Sequence, residues 1–460
     1  MRHPPSPSGL EHISLIHKIR VHHAYPDFRS HCHSATKFGI INASKEEEVA
    51  PVLTQNEIAV LRGLAKEYAE IAALPVQAKK RKMWPKLNTL GVERPLLLID
   101  QIPWNEMDVD GSLICQVQNP YWRGVETSLR QTLYKWKHLH TDMVVDPYLC
   151  LPRPIHNTGW GMDVQRSAHI ILEEGATASS SHFVNQIRDM DDIERIQMPK
   201  LILDVQAEQQ IICEAKELFD GIIEFRMTGL IMHLGVWDTI THWMGVTDCY
   251  IELMDRPEMM HALMEKLTQG VIGMIHQMNE QELYDIHSNL CHCSHTYLPD
   301  MPKEDDHALS GNSWAFGLAQ LFTSVSPAIT DEFEVAYMKR IFPYLGAIYY
   351  GCCDRLDDRM DIIRKLPKIR KLSCSPWSIP EVFAEKMPDY CVMSSKPNPA
   401  FLASGQLDES VIRADLRRTI AAAKAYNRPL ELILKDISTV RHNPACLWRW
   451  SEIAMEEIQR

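Results

Sequence analysis

The apolar residues of the C-terminal third follow two alternating periods. Short runs rich in apolar and β-branched residues are each followed by a longer stretch with apolar residues at helical spacing. Such alternation is typical of parallel strands that are joined by crossover helices. It predicts five consecutive strand–helix units, whose strands lie at residues 318–325, 347–353, 369–375, 390–395 and 430–436.

Further strands are predicted upstream, where the pattern is weaker. Residues 94–100 form an apolar run typical of a buried strand, and residues 156–181, rich in Gly and Ser, predict a long loop or lid. Adding residues 142–150 and 221–227 and a weak run at 286–293 to the C-terminal units gives eight strands, the number in a closed (β/α)8 TIM barrel. An open, doubly wound sheet is the alternative, but the glycine-rich phosphate loop typical of that fold is missing after an early strand.

The N-terminal part of the chain differs from the rest. Residues 1–44 hold many histidines and several prolines but little periodic apolar pattern, which predicts a disordered extension. A helical period begins after residue 45, and Thr54 followed by Glu57 is a capping-box pattern. The sequence therefore predicts one α/β domain over residues 45–460, a TIM barrel with an N-terminal helical extension and inserted loops.

Composition and charge exclude several classes of protein. The chain has 460 residues, of which 45% are hydrophobic, and its formal net charge is −12. An acidic chain without a long basic run is poorly suited to the phosphate backbone of nucleic acids. No apolar run has the length of a membrane span, and no apolar signal segment follows Met1. The cysteines follow no disulfide frame, so we expect reduced thiols and a cytoplasmic location.

Candidate chemistry lies where the predicted C-terminal strands end, because functional residues of such barrels gather on that face. Cys352, Cys353 and Asp354 end one strand, and Lys435 and Asp436 close the last one. A carboxylate there can act as a general acid or base, and a lysine can neutralise an anion or lower the pKa of a neighbouring group. Asp354, Lys435 and Asp436 are therefore candidate catalytic residues; the alternative for the last two is a structural ion pair.

Three cysteines are candidate metal ligands, because thiolates bind zinc. Cys352 and Cys353 are adjacent, so on a strand they would point to opposite sides, and only one would face the barrel mouth unless the strand has already ended. Cys293 lies in the densest run of soft ligands in the chain, residues 291–295. The alternative for all three is a place in the core as small buried residues.

Five further candidates stand beside predicted strand ends. Ser395 and Lys396 offer a hydroxyl and an ammonium group to a substrate, and Trp104 and Trp377 offer flat surfaces for stacking. Glu106 follows Trp104 and would add a catalytic carboxylate to the mouth. Each of these side chains is equally compatible with a turn or with packing against the core, so their role depends on where the fold places them.

The strand-end segments also carry a resemblance to a known family. Residues 349–354, 371–377, 395–399 and 435–440, with short upstream segments at 94–95, 102–104, 136–137 and 255–258, resemble a bacterial branch of the uroporphyrinogen decarboxylase superfamily. That superfamily also contains cobalamin-dependent methyltransferases. The resemblance extends from about residue 45 to the end and implies the TIM-barrel fold.

Two differences from the superfamily bear on the reaction. Tyr350-Gly351-Cys352 stands where its zinc methyltransferases have His-x-Cys. The region at residues 99–104 lacks the arginines that hold the substrate's carboxylates in authentic uroporphyrinogen decarboxylases.

Three functions follow from the resemblance as expectations. The first is methyl transfer between a small substrate and a corrinoid or thiol acceptor, with zinc and a corrinoid as candidate cofactors and a corrinoid protein as a candidate partner. The second is decarboxylation of a carboxylated tetrapyrrole, which requires cationic side chains such as Arg94, Lys396 and Lys435 at the mouth. The third is a non-catalytic protein that binds a tetrapyrrole or corrinoid.

Overall fold

Strands alternate with helices along this computed structural model, which describes residues 51–91, 93–171, 173, 175–176, 179–299, 301 and 307–460. The strands are β1 (Leu96–Ile99), β2 (Tyr148–Pro152), β3 (Ile155–Asn157), β4 (Arg166–Ile171), β5 (Ser179–Phe183), β6 (Leu201–Leu203), β7 (Glu224–Thr228), β8 (Met232–Leu234), β9 (Leu290–Cys291), β10 (Ser294–His295), β11 (Trp314–Gly317), β12 (Ala347–Tyr350), β13 (Ile369–Cys374), β14 (Val392–Ser395) and β15 (Leu430–Leu434). The helices are α1 (Gln55–Ala72), α2 (Pro75–Asn88), α3 (Pro120–His138), α4 (Met190–Glu194), α5 (Val205–Phe219), α6 (Val236–Met244), α7 (Val246–Asp255), α8 (Pro257–Glu280), α9 (Pro327–Thr330), α10 (Ala336–Ile341), α11 (Met360–Ile363), α12 (Pro380–Lys386), α13 (Glu409–Ala425) and α14 (Pro444–Ile458). None of these helices offers the long apolar stretch that a membrane crossing requires. The predicted disordered extension, residues 1–44, lies outside the described residues.

Seven parallel strands form the main sheet, in the order β1-β15-β14-β13-β12-β11-β8. Strands β12 to β15 are neighbours in space as well as in sequence, and α11, α12 and α13 connect them. Parallel neighbours require such crossovers, because the chain must return to the starting edge of the sheet before each new strand. The structure therefore confirms an α/β fold built on a parallel sheet.

The two faces of the main sheet carry different side chains, because successive residues of a strand point to opposite sides. One face packs its aliphatic residues, among them Ile348, Leu372 and Leu434, into one large core together with the apolar sides of α13 and α14. The other face places the polar residues Lys371 and Glu431 between two smaller apolar clusters. The second face therefore carries the buried Lys371–Glu431 pair.

The sheet curls toward this polar face. Lys371 on β13 and Glu431 on β15 form an ion pair of 2.7 Å across the intervening strand β14. Just beyond the strand ends, Sγ of Cys353 lies 3.0 Å from Oδ2 of Asp436, although β12 and β15 are three strand spacings apart, about 14 Å in a flat sheet. The polar face is therefore concave, and the ends of non-neighbouring strands meet there.

Some predicted strands lie elsewhere in the structure. The run predicted at residues 318–325 is a 3-10 turn over Gln320–Ser324, and the strand is β11, just before it. The run is apolar because Leu318, Leu321 and Phe322 are buried as a loop that packs into the core. The loop predicted at residues 156–181 instead contains most of the antiparallel pair β4 and β5.

The predicted strands of the middle region are not members of the main sheet. Within residues 142–150, only the end is strand: β2 pairs in parallel with β7, which overlaps the run predicted at 221–227. Residues 286–293 supply only β9 of the short antiparallel pair β9 and β10. Asp142 nevertheless lies against the edge strand β1, since its backbone N–H donates to the Leu97 oxygen at 2.8 Å and its carboxylate accepts from the Leu97 N–H at 2.9 Å.

The N-terminal helical extension is present and packs across the sheet's concave side. Thr54 caps α1 with the capping box that the sequence predicts: its hydroxyl accepts from the Glu57 N–H, and the Glu57 carboxylate accepts from the Thr54 N–H at 2.7 Å. At the end of α2, the side-chain amide of Asn88 donates to the backbone oxygens of His295 and Tyr297. The extension thereby fixes the segment around β9 and β10, which lies over the polar face.

The buried Lys371–Glu431 pair gives a prediction about stability. Both side chains are fully buried, and Lys371 also donates to Ser294 Oγ at 2.6 Å. Removing one partner leaves the other charge buried without compensation, so we expect Lys371→Met to lower the free energy of unfolding by about 3–5 kcal/mol. The double variant Lys371→Met/Glu431→Leu should recover most of this loss. Denaturant titration measures both changes. As a control, Lys365→Met removes a surface pair with Asp331 and should lower the free energy of unfolding by less than about 1 kcal/mol.

Candidate thiol site

Strand β12 ends before the two adjacent cysteines, and this decides where they point. Gly351 follows the strand in a left-handed conformation (φ 92°), and a Cβ there would come within 2.8 Å of Leu356 and 3.1 Å of Ser373. The turn is held by the Asp354 carboxylate, which accepts from the Cys352 N–H at 2.6 Å. Because the strand has ended, both sulfurs point to the same place, with 3.7 Å between them.

Lys435 and Asp436 reach the cysteine pair from the end of β15. The Lys435 ammonium lies 3.1 Å from Sγ of Cys352 and 2.5 Å from Oδ2 of Asp436, and the same carboxylate oxygen accepts from the Cys353 thiol at 3.0 Å. Asp436 has a left-handed backbone (φ 56°), as does Gln101 (φ 49°). The side-chain oxygen of Gln101 accepts from Lys435 Nζ and from the Asp436 N–H, each at 3.3 Å. Non-glycine residues in this conformation cluster at functional sites, where neighbouring contacts hold them.

The surroundings separate the pKa values of the two thiols. The pKa of Cys352 is lowered, first by the hydrogen bond between the two sulfurs and then by the Lys435 ammonium, against the opposing effect of burial. The pKa of Cys353 is raised well above its ordinary value by the same hydrogen bond, by burial and by the Asp436 carboxylate. The proton is therefore held more tightly on Cys353 than on Cys352, and the Lys435 ammonium favours the thiolate of Cys352.

Three ligand atoms at this site are close enough to share one metal ion. The sulfurs of Cys352 and Cys353 and a carboxylate oxygen of Asp436 all lie within 4.8 Å of one another. Cys293, the third predicted cysteine ligand, is not a member of this group; it is buried, and burial raises its pKa to about 12. Its neighbour His292 instead reaches the site, with Nε2 at 3.9 Å from Sγ of Cys352.

The sequence does not identify His292 as a residue of the thiol site, because its position depends on backbone geometry that the sequence does not reveal. It lies in the turn between β9 and β10 with a left-handed backbone (φ 55°), and its ring stacks on Phe316 at 4.0 Å between centroids. The only signal in the sequence is that it lies inside the run of soft ligands at residues 291–295.

Ser395 and Lys396 lie deeper than a substrate-binding role at the mouth would require. The Lys396 ammonium is buried and donates to the Tyr349 hydroxyl and to the backbone and side-chain oxygens of Ser394, the latter at 2.6 Å. Burial lowers its pKa. Ser395 is also buried. Lys396 therefore belongs to the polar layer beneath the thiol site, whereas Ser395 lies opposite Cys374 on the face of the large apolar core.

The remaining predicted residues lie around the mouth but do not touch the thiols. Oε2 of Glu106 accepts from the Thr439 hydroxyl, the Val440 N–H and the His442 N–H at 2.8–3.0 Å, so Glu106 anchors the loop that follows Asp436. Trp104 packs edge-on against Tyr134. The Trp377 side chain is 69% exposed, so it does not cap the core.

Glu106 also belongs to a second group of ligand atoms, with Glu173 and His442. Glu173 and His442 are exposed and pair with each other at 3.2 Å. Exposed acidic groups of this kind are common without a metal, and the Glu106 oxygens are already engaged by the loop. This group therefore links two loops at the rim.

Comparisons with known proteins give only distant structural matches. No family model and no curated protein matches the sequence. Solved structures do match, among them a methyltransferase from Methanosarcina mazei with 11% sequence identity and a TM-score of 0.43, over 82% of this chain and 96% of that one. A likeness this distant carries no inference about function, so the resemblance to the uroporphyrinogen decarboxylase superfamily stays an expectation.

The lowered pKa of Cys352 can be tested by alkylation. In metal-free protein we expect iodoacetamide to alkylate Cys352 at pH values that are too low for alkylation of the exposed Cys213. Only a thiolate reacts, and the lowered pKa of Cys352 keeps its thiolate present at lower pH. Lys435→Met removes the stabilising ammonium and should move the midpoint for Cys352 upward while leaving that of Cys213 unchanged. Peptide mass spectrometry across pH measures both. A Cys352 midpoint that the substitution does not move would contradict the ion pair.

Proposed function

We propose that this protein is a methyltransferase in which the site formed by Cys352, Cys353 and Asp436 activates a thiol to accept a methyl group. The observation that supports this most strongly is the convergence of these ligands with Lys435 on one point of the concave face. Two thiols and a carboxylate from two separate strand ends are the kind of donor set that zinc binds.

The charges of the site fit a divalent cation. With both thiols ionised, the two sulfurs and Asp436 carry three negative charges, and Lys435 supplies only one positive charge. A divalent ion would make the group neutral. When bound, zinc would keep an acceptor thiol ionised at neutral pH and so maintain it as a nucleophile.

The protein's own residues hold this arrangement in place. Asp354 fixes the turn that carries both cysteines, through the Cys352 N–H. Glu106 fixes the loop that follows Asp436, and Gln101 joins β1 to the end of β15. Lys435 compensates thiolate charge at 3.1 Å from Cys352. Asp354 and Glu106 are thus positioning residues in this proposal, rather than the acid and base that the sequence suggests.

The placement of the cations favours methyl transfer over decarboxylation. Decarboxylation of a tetrapyrrole requires Arg94, Lys396 and Lys435 to face the mouth together. Arg94 precedes β1 at the opposite end of the sheet and is bound by the Asp142 carboxylate through two hydrogen bonds. Lys396 and Lys435 are both buried. Lys396 is bound by the oxygens of Ser394 and Lys435 by Asp436 and Cys352, so each of the three cations is already engaged within the protein.

We also propose that the main sheet closes into an eight-stranded barrel through the middle segments. The stretch from Asp142 to the end of β2 lies against β1 at one end and pairs with β7 at the other. After three residues β7 continues as β8, which is the far edge of the main sheet. The stretch from Asp142 to the end of β2 then counts as one interrupted strand, and β7 with β8 counts as another. In this proposal the two strands lie between β1 and β11 and close the barrel.

Metal content tests the proposed site. We expect about one zinc per chain in protein purified without chelator, by plasma mass spectrometry. Cys352→Ser, Cys353→Ser and Asp436→Asn should each lower it, because each removes one ligand, whereas Cys213→Ser, at an exposed thiol, should not. Wild-type protein that binds no zinc even after the metal is added would contradict the metal site.

Methyl transfer itself tests the function. We expect the zinc-loaded protein to convert a small thiol into its methyl thioether with at least one of four methyl donors: methylcobalamin, a methyl ether, a methylamine or iodomethane. Cys352→Ser should abolish the enzymatic part of the rate, and Cys213→Ser should not change it. Tight binding of methylcobalamin without turnover would favour the non-catalytic function, and release of carbon dioxide from uroporphyrinogen would favour decarboxylation. The thioether is quantified by mass spectrometry.

A further inference from the structure

We propose that Cys352 and Cys353 form a reversible disulfide with each other, and that this bond switches off the metal site. The oxidant is a peroxide, and a thiol reverses the reaction. The inference gives the site of the proposed function a form of regulation, and that part of it rests on the proposed function. Formation of the disulfide itself requires only the geometry of the two cysteines and their neighbours.

The two sulfurs already lie close to each other. Their separation is 3.7 Å, and a disulfide requires about 2.0 Å, so they have to approach by about 1.7 Å. Strand β12 ends at Tyr350 and Gly351 follows it with a left-handed backbone, so neither cysteine is held in the ladder of the sheet. Cys353 is only half-buried, which leaves the pair open to an oxidant as small as hydrogen peroxide.

The neighbouring charges give the two thiols different roles. The Lys435 ammonium lies 3.1 Å from Sγ of Cys352 and favours its thiolate, which is the form that attacks a peroxide. The Cys353 thiol donates to Oδ2 of Asp436 at 3.0 Å, so this carboxylate can take the proton that Cys353 must lose. Cys352 is therefore the sulfur that is oxidised first, and Cys353 is the sulfur that closes the bond.

The proposed reaction balances in atoms and electrons. The Cys352 thiolate attacks one oxygen of hydrogen peroxide, the oxygen–oxygen bond breaks, and a sulfenic acid and a hydroxide form. The hydroxide takes a proton from solvent. Cys353 then attacks the sulfur of the sulfenic acid, so the sulfur–sulfur bond forms and the sulfur–oxygen bond breaks. The proton of Cys353 passes through Asp436 to the departing oxygen, which leaves as water. Two electrons move from the sulfurs to the peroxide, and two waters are released.

The adjacency of the two cysteines makes this bond reversible. Neighbouring α-carbons of a chain are about 3.8 Å apart, whereas the α-carbons that an ordinary disulfide joins are about 4.4–6.8 Å apart. The ring that closes between adjacent cysteines is therefore strained, and strain makes a disulfide easier to reduce. A thiol thus restores the pair, as a switch requires.

Loss of charge is the reason that the disulfide switches off the site. With both thiols ionised, the sulfurs and Asp436 carry three negative charges against the one positive charge of Lys435, which favours a divalent cation. After oxidation the sulfurs are neutral, and the Asp436 carboxylate is balanced by Lys435, with which it already forms an ion pair. A disulfide also lacks the thiolates that bind zinc. Oxidation therefore removes both the ligands and the charge that would hold the ion.

Peptide mapping of the full-length protein tests the switch. Reduced, chelator-treated protein is exposed to hydrogen peroxide, and the remaining thiols are blocked before digestion with trypsin. The tryptic peptide of residues 341–355 holds these two cysteines and no other. We expect this peptide to lose two hydrogens and to escape blocking at a rate at least about tenfold that of the oxidation of the exposed Cys213. Treatment with a thiol should then restore both free cysteines.

Zinc content connects the disulfide to the metal site. Oxidised protein should bind no zinc, and reduction should restore about one ion per chain. Bound zinc should in turn slow the oxidation at least about tenfold, because it engages the thiolates. Cys353→Ser should stop at the sulfenic acid of Cys352, which dimedone captures, whereas Cys213→Ser should behave as the wild type does. If Cys353→Ser does not fold, as judged by its unfolding transition, the wild-type peptide map decides the question alone.

Each outcome supports or overturns the inference. Oxidation of Cys352 to a sulfinic acid while Cys353 stays free, or disulfides from either residue to another cysteine, would overturn the switch. Oxidised protein that still binds zinc would overturn the regulation but leave the disulfide intact. Reduced protein that binds no zinc would remove the proposed metal site and its regulation together, and this result appears before any oxidant is added.

Discussion

Curvature of the parallel sheet is the constraint on which the candidate site depends. Strands β12 and β15 are separated by two other strands, yet side chains at their ends, Cys353 and Asp436, lie within hydrogen-bond distance. Short side chains cannot bridge the spacing of a flat sheet. The helices on the outer face and the N-terminal extension on the inner face hold the sheet in this curl, so packing far from the thiols sets the distances between them.

The same curvature forces charged side chains into a buried layer below the mouth. Lys371 is compensated by Glu431, and Lys396 by the oxygens of Tyr349 and Ser394. Lys435 stands above them and faces the thiols and Asp436. Buried charges are costly unless paired, and in this layer each lysine has partners on a neighbouring or facing strand. This layer sets the depth of the site, because it fills the space beneath the sulfurs.

Two sides of the mouth differ in chemistry. The side formed by β12 and β15 carries thiols, a carboxylate and a lysine, which suits a metal-assisted nucleophile. The side formed by β8 and α6 carries His233 and Asp238, and the ring of Phe316 lies between His233 and His292.

The sequence by itself determined the class of the fold and half of the site. Alternation of strand and helix periods is a local property, and it located β12 to β15 and the residues that follow two of them, Cys352, Cys353, Lys435 and Asp436. Tertiary structure decided the rest, because the position of His292 relative to the thiols depends on a backbone turn and on strand neighbours far away in the chain. It also decided that the apolar run at residues 318–325 is a packed loop, that Trp377 faces solvent, and that Cys293 lies outside the ligand group. Apolar patterning records which residues are buried, but it does not record which buried residues meet.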